Sequence, residues 1–144
     1  MSNGNPEVIT VETTVRKPAG EVWKYWTEPR HITQWSFASN DWHAPHAEND
    51  VRAGGRFVTR MEAKDGSFGF DFSGAYDEVR VNEFLSYTLD DGRKVTVTFI
   101  DQGNDTRVVE TFEAEATNPV DMQRAGWQAF MDNFKSYSES AKEN

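Results

Sequence analysis

The stretch from Pro119 to Ala141 constrains the fold more than any other. Trp127, Phe130, Met131, Phe134, Tyr137 and Ala141 recur at spacings of three and four, the period that stacks side chains into one apolar stripe on an α-helix. Arg124, Gln128, Asp132, Lys135, Glu139 and Lys142 fall mostly on the opposite, wet side. The start signals agree: Asn118 as cap, Pro119 at the first helical position, and Asp121 placing negative charge at the positive end of the helix dipole. At about 1.5 Å per residue the helix is roughly 34 Å long and crosses a whole small domain. So aromatic a stripe cannot stay in water, and the upstream chain must supply the surface it covers. Gly126 is the exception, lying on the row of Phe130 and Phe134 where a glycine costs about 1 kcal/mol relative to alanine. Two accounts are open: close approach of the helix to a strand or to Trp23 or Trp26, or room left for a ligand beneath the helix.

The upstream chain reads as strands and turns after a short helical interlude. Glu7 to Arg16 alternates Ile9, Val11, Thr13 and Val15 against polar partners, a strand ended by Lys17-Pro18. Ala19 to Thr27 reads as a short helix, and Pro29 starts a second one carrying Ile32 and Trp35. Phe37 to Asp50 reads as an irregular loop whose end, Ala47 to Val51, forms at most a short strand. Beyond the Gly54-Gly55 turn come strands at Arg56–Ala63, Ser67–Val81, Glu83–Leu89, Lys94–Asp101 and Thr106–Ala116. Their punctuation is Lys64-Asp65-Gly66, Asp90-Asp91-Gly92 and Gln102-Gly103-Asn104-Asp105, turn chemistry that makes the run an antiparallel meander. One face of such a sheet must be covered, and only the last helix is long enough. The expected class is α+β: a curved antiparallel sheet of six to seven strands around a long C-terminal helix, with two short helices after the first strand.

Composition narrows the functions. A chain of 144 residues fits one domain, expected over residues 7–142 behind a disordered polar start at 1–6. There are no cysteines, which excludes disulfides, zinc thiolate sites and cysteine nucleophiles. A net charge of −9 repels phosphate backbones and anionic membranes, so nucleic-acid binding is not expected. No run approaches the ~18 apolar residues of a membrane span and the start lacks the pattern of a signal peptide, making the cytoplasm the default location. The informative excess is aromatic: five Trp, four Tyr and ten Phe. Such residues suit a bulky core or an apolar cavity.

The order of elements, with Val22-Trp23-Lys24-Tyr25-Trp26-Thr27-Glu28-Pro29, Gly54-Gly55-Arg56-Phe57, Gly74-Ala75-Tyr76, Asp90-Asp91-Gly92-Arg93 and Gly126-Trp127-Gln128, resembles the SRPBCC (START-like, helix-grip) superfamily. Within it the chain is most similar to homologues of the C-terminal domain of the heat-shock-protein-90 ATPase activator. The resemblance implies a helix-grip fold with an apolar cavity, in a superfamily whose members bind lipids, sterols, hormones or polyketides and in some cases cyclise or dehydrate them. It also implies, by family analogy alone, a chaperone as protein partner. No cofactor is implied.

The chemistry-bearing residues are few. His43 and His46, with Asp41, Glu48 and Asp50 nearby, have the residue types of a metal site, but no regular element fixes their spacing and no metal is expected. No phosphate loop, nucleophile elbow or HExxH pattern occurs. Strand phase combined with the helix row predicts a ligand pocket bounded by Trp26, Trp35, Phe57, Phe70, Phe72, Val97, Trp127, Phe130 and Met131. The helix-grip resemblance implies that Trp35 and Trp42 stand at its mouth, the alternative being that they plug the end of the core. Glu110 is the candidate catalytic group. It shares a phase with Val108 and Phe112, a set that faces the helix in the pattern of the resembled family, which would aim its carboxyl at the cavity, where an unpaired acid tends to keep its proton. The alternatives are an inverted phase that leaves it in water, or neutralisation by Arg60 or Arg93. The functions to separate are therefore binding of a small apolar ligand, a cyclase- or hydratase-type enzyme, and a chaperone-interacting module. Buried polar groups converging on an open cavity favour the enzyme, a purely apolar lining the carrier, and a collapsed cavity with an exposed apolar patch the interaction module.

Overall fold

β-Branched alternation makes strand β1 (Val8–Val15), in which Ile9, Val11 and Val15 are buried while Thr10, Glu12 and Thr14 face water. Helices α1 (Ala19–Thr27) and α2 (Pro29–Trp35) follow, then strands β2 (Trp42–Asn49), β3 (Arg56–Ala63), β4 (Gly69–Arg80), β5 (Phe84–Leu89), β6 (Lys94–Asp101) and β7 (Thr106–Glu113), and finally α3 (Val120–Ser140). The structure, a computed structural model, describes residues 7–141. The start at 1–6, expected to be disordered, and Lys142 lie outside the described residues.

The seven strands form one antiparallel sheet in the order β1-β7-β6-β5-β4-β3-β2. It is the expected meander from β2 to β7, with β1 added beside β7 and leaving β1 and β2 as its edges. Two glycines show how the backbone sets this shape. Gly92 turns the β5–β6 hairpin at a φ of 96°, a left-handed conformation that costs other residues steric strain. Gly74 in β4 sits so close to β5 that an added Cβ would lie 2.4 Å from the Thr88 carbonyl oxygen. It is a point of close approach, and the β4 irregularity lies further on, between Tyr76 and Glu78.

The stretch expected to be a loop contains an eight-residue strand instead. β2 pairs with β3 from Trp42 opposite Ala63 to Asn49 opposite Phe57, with a register shift between His43 and His46. Pro45 falls inside that shift. A residue without an N–H is tolerated there because β2 is an edge and the ladder is already interrupted. The sequence hides this strand because its phase reverses across the irregularity, leaving no clean alternation.

α3 runs along the β1 side of the sheet. Met131 and Phe134 are fully buried in the core, and Trp127 and Tyr137 pack against it. Its start differs from expectation: Pro119 occupies the cap position with no side-chain cap, while the Asn118 amide binds the Glu115 carboxylate at 2.6 Å. The entry into the helix is held by Gln123, whose amide nitrogen donates to the carbonyls of Glu115 and Asn118 and whose oxygen accepts from the Glu115 N–H. Several residues of the wet face have a second task. Gln128 bonds both the N–H and the carbonyl of Glu12, Lys135 donates to the Thr14 carbonyl, and Glu139 accepts from the Arg16 N–H at 2.9 Å. α3 thereby satisfies the free edge of β1, which would otherwise be a template for another strand. Asn133 donates to the carbonyls of Trp35 and Phe37, tying the end of α2 to the same helix. Nothing lies within 4 Å of a Cβ added to Gly126, which rules out close approach as the reason for that glycine.

Candidate functional site

Because α3 lies toward β1, the concave face on the β2–β5 side is not filled by it. What remains is a cavity of about 280 Å³ that opens to solvent. Its walls are two aromatic groups. On one side Trp127 stacks on Phe112, with ring centroids 3.7 Å apart and planes within 9°, and meets Phe72 edge-on. On the other, Trp26 and Trp35 pack with Phe134 at centroid distances of 4.9 and 4.8 Å. The Trp35 indole N–H is satisfied by the Tyr25 carbonyl, so that ring presents only its apolar surface. Phe57 forms the floor, in contact with Phe72, Tyr76 and Tyr87. Phe70 and Phe130 complete the aromatic lining.

Polar groups converge within this shell. The Tyr76 hydroxyl donates to Asn49 Oδ1 at 2.6 Å, while the Asn49 amide donates to the Thr27 carbonyl, so α1, β2 and β4 are linked through one side chain. Burial pushes the Tyr76 hydroxyl up to about 12, keeping it a neutral donor. Glu110 points inward, 5 % exposed, from the centre of β7, where Val97 of β6 and Val11 of β1 are its strand partners. Burial pushes its carboxyl from 4.5 up to about 8, against the opposing effect of a hydrogen bond from the Tyr87 hydroxyl. Neither proposed arginine neutralises it: Arg60 pairs with Glu62 and Asp71, and Arg93 with Asp91. Arg93, Glu48 and Glu115 also line the cavity.

The expected pocket residues divide. Trp26, Trp35, Phe57, Phe70, Phe72, Trp127 and Phe130 line the cavity. Val97 and Met131 do not; both are buried in the core. Trp42 lies beyond the cavity, in an outer aromatic group with Phe68 and Phe70. Asn49, Thr59, Tyr76 and Tyr87 line it without having been singled out. The histidines have structural partners: His31 bonds the Tyr137 hydroxyl at 2.6 Å, His46 meets Glu48 at 2.7 Å, and His43 faces Glu62 at 3.7 Å. Among the described residues, no three metal-ligating side chains cluster, and no helix is long and apolar enough to cross a membrane.

A curled seven-stranded antiparallel sheet, two short helices after the first strand and a long C-terminal helix together define a helix-grip domain of the SRPBCC superfamily. Residues 16–139 match the profile of the activator of Hsp90 ATPase homolog 1-like protein, and the chain belongs to that family. An AHSA1-like protein from Aeromonas hydrophila, solved by NMR, is 40% identical, with a TM-score of 0.86 over 96% of this chain and 99% of that one. A Cytophaga hutchinsonii protein is 53% identical, with a TM-score of 0.80 over 94% and 93%. A Chromobacterium violaceum protein shares the fold at 20% identity, with a TM-score of 0.83 over 94% and 100%. No curated protein matches the chain. Proteins of this fold family often bind ligands or interact with other proteins.

Proposed function

We propose that this protein binds a small, mainly apolar molecule in the cavity between α3 and the β2–β5 side of the sheet. The observation that carries the reading is the cavity itself: about 280 Å³, walled by aromatic rings that are fixed by one another, and open to solvent. Ligand sites are concave, mostly apolar and largely pre-formed, typically about 300–1,000 Å³, so this one suits a compact molecule. The few polar groups inside would fix its orientation. Titration with the neutral dye Nile red tests this: dye fluorescence should rise while tryptophan emission is quenched. Thr59→Phe, which adds volume at a buried lining position, should weaken binding at least about tenfold. Unchanged binding by a folded Thr59→Phe variant overturns the location, and absence of binding by the wild type overturns the function.

Catalysis of the cyclase or hydratase type is a second reading, favoured by one observation: the Glu110 carboxyl and the Tyr87 and Tyr76 hydroxyls converge on the open cavity. A buried acid near neutrality suits general acid or base work. Its test is whether a ligand isolated with the protein returns chemically changed after incubation with the wild type and unchanged with Glu110→Gln. A chaperone partner rests on the family's name, and a cytoplasmic location on composition.

A further inference from the structure

The cavity carries a charge pattern that goes beyond holding an apolar body. Its ionisable lining consists of Glu48 from β2, Glu110 from β7, Glu115 from the β7–α3 connection and Arg93 from the β5–β6 turn, together with the Tyr76 and Tyr87 hydroxyls. The cation among these has one partner of its own, since Arg93 Nε lies 2.9 Å from the Asp91 carboxylate. Glu110 is the most buried of the carboxyls, near the Tyr87 hydroxyl and, among the described residues, with no cation in ion-pair range. Trp127, Phe57 and Tyr87 line the same cavity, and aromatic rings of this kind attract positive charge through their π-electron density.

We propose that the ligand is an apolar amine whose ammonium group seats against Glu110 inside the aromatic wall. This deepens the ligand-binding reading and rests on it. An ammonium supplies the counter-charge that the fold withholds from Glu110, and the surrounding rings replace part of its lost hydration. Among the described lining residues Glu48 and Glu115 add negative charge and Arg93 is the one cation, so a carboxylate or phosphate head group is disfavoured relative to an ammonium. Binding also has a proton signature. The Glu110 carboxyl, held near 8, keeps its proton at pH 7 in the free protein and gives it to solvent when an ammonium arrives.

A matched series of one rigid apolar body separates these possibilities: 1-naphthylmethylamine, 1-naphthylmethanol and 1-naphthoate, titrated by calorimetry at pH 7 in buffers of different ionisation enthalpy. The amine is expected to bind about tenfold more tightly than the alcohol, and the alcohol more tightly than the carboxylate. Amine binding should release close to one proton and alcohol binding none. In Glu110→Gln, which keeps the shape of the neutral acid, the proton release should vanish and the amine's advantage should collapse. An alcohol that binds as well as the amine overturns this inference while leaving the general reading standing, as does an amine advantage that survives in Glu110→Gln. Failure of all three probes to bind overturns both.

Discussion

Replacing Glu110 with glutamine should make the protein more stable at neutral and alkaline pH, by an amount that depends on pH in a defined way. In the folded chain, burial raises the carboxyl from 4.5 to about 8. Below 4.5 the carboxyl is protonated in both folded and unfolded states, so wild type and variant should differ little. As pH rises from there, the unfolded chain ionises while the folded chain holds its proton. The unfolded state then binds fewer protons, and wild-type stability falls relative to the variant until the folded carboxyl also ionises near 8. At about 1.4 kcal/mol per pH unit the full shift corresponds to a ceiling of roughly 4–5 kcal/mol. Water entering the open cavity lowers the cost of charge there, so about 2–4 kcal/mol is the expected plateau. Urea unfolding of both proteins at pH steps from 4 to 9 measures the difference, and every other titrating group cancels in the subtraction. A difference that stays flat with pH, or that grows in favour of the wild type, refutes the reasoning and places the carboxyl in solvent or beside a cation.

Other expectations follow from particular contacts. Gly126→Ala should stabilise the protein by about 1 kcal/mol in thermal unfolding, since the new methyl meets nothing and alanine is the better helix former; a loss of stability would restore close approach as the role of that glycine. Gly74→Ala should cost about 3 kcal/mol or more in urea unfolding, because its Cβ would collide with the β5 backbone and neither strand can yield alone. A chain ending at Asn118 should sediment as aggregates, since it exposes both the apolar concave face and the edge of β1 that Gln128, Lys135 and Glu139 now satisfy; a monodisperse truncated chain would show that the edge and face are protected by other means.

Much of the fold could be read from local pattern, because the strand phases and hairpin turns of β3 to β7 are regular and the helix stripe is long. β3 and β6 have the very boundaries that alternation and turn residues imply. β2 could not be read this way, since Pro45 and a register shift break the alternation by which an edge strand is recognised. The cavity was partly legible for a related reason. Phase groups the residues that share a side of the sheet, and it set Glu110 with Val108 and Phe112 while leaving inward or outward open, but it does not tell which inward residues lie beneath a helix. Val97 and Met131 face the interior where it is filled; Phe57 and Phe72 face it where α3 leaves room. Tyr76 and Tyr87 carried the missing signal, being hydroxyl-bearing residues in the inward phases of β4 and β5 beside Thr59 of β3. Reading those phases only for their apolar members hid the polar half of the site.

The central claim, a ligand held between α3 and the β2–β5 face, is tested most directly by the indole N–H resonances of the five tryptophans. Trp26, Trp35 and Trp127 line the cavity, whereas Trp23 packs on Phe99 in the core and Trp42 belongs to the outer aromatic group. Saturating 15N-labelled protein with 1-naphthylmethylamine should move the resonances of Trp26, Trp35 and Trp127 and leave those of Trp23 and Trp42 in place. Shifts confined to Trp42, or no shift at any of the five at saturating probe, would contradict the account.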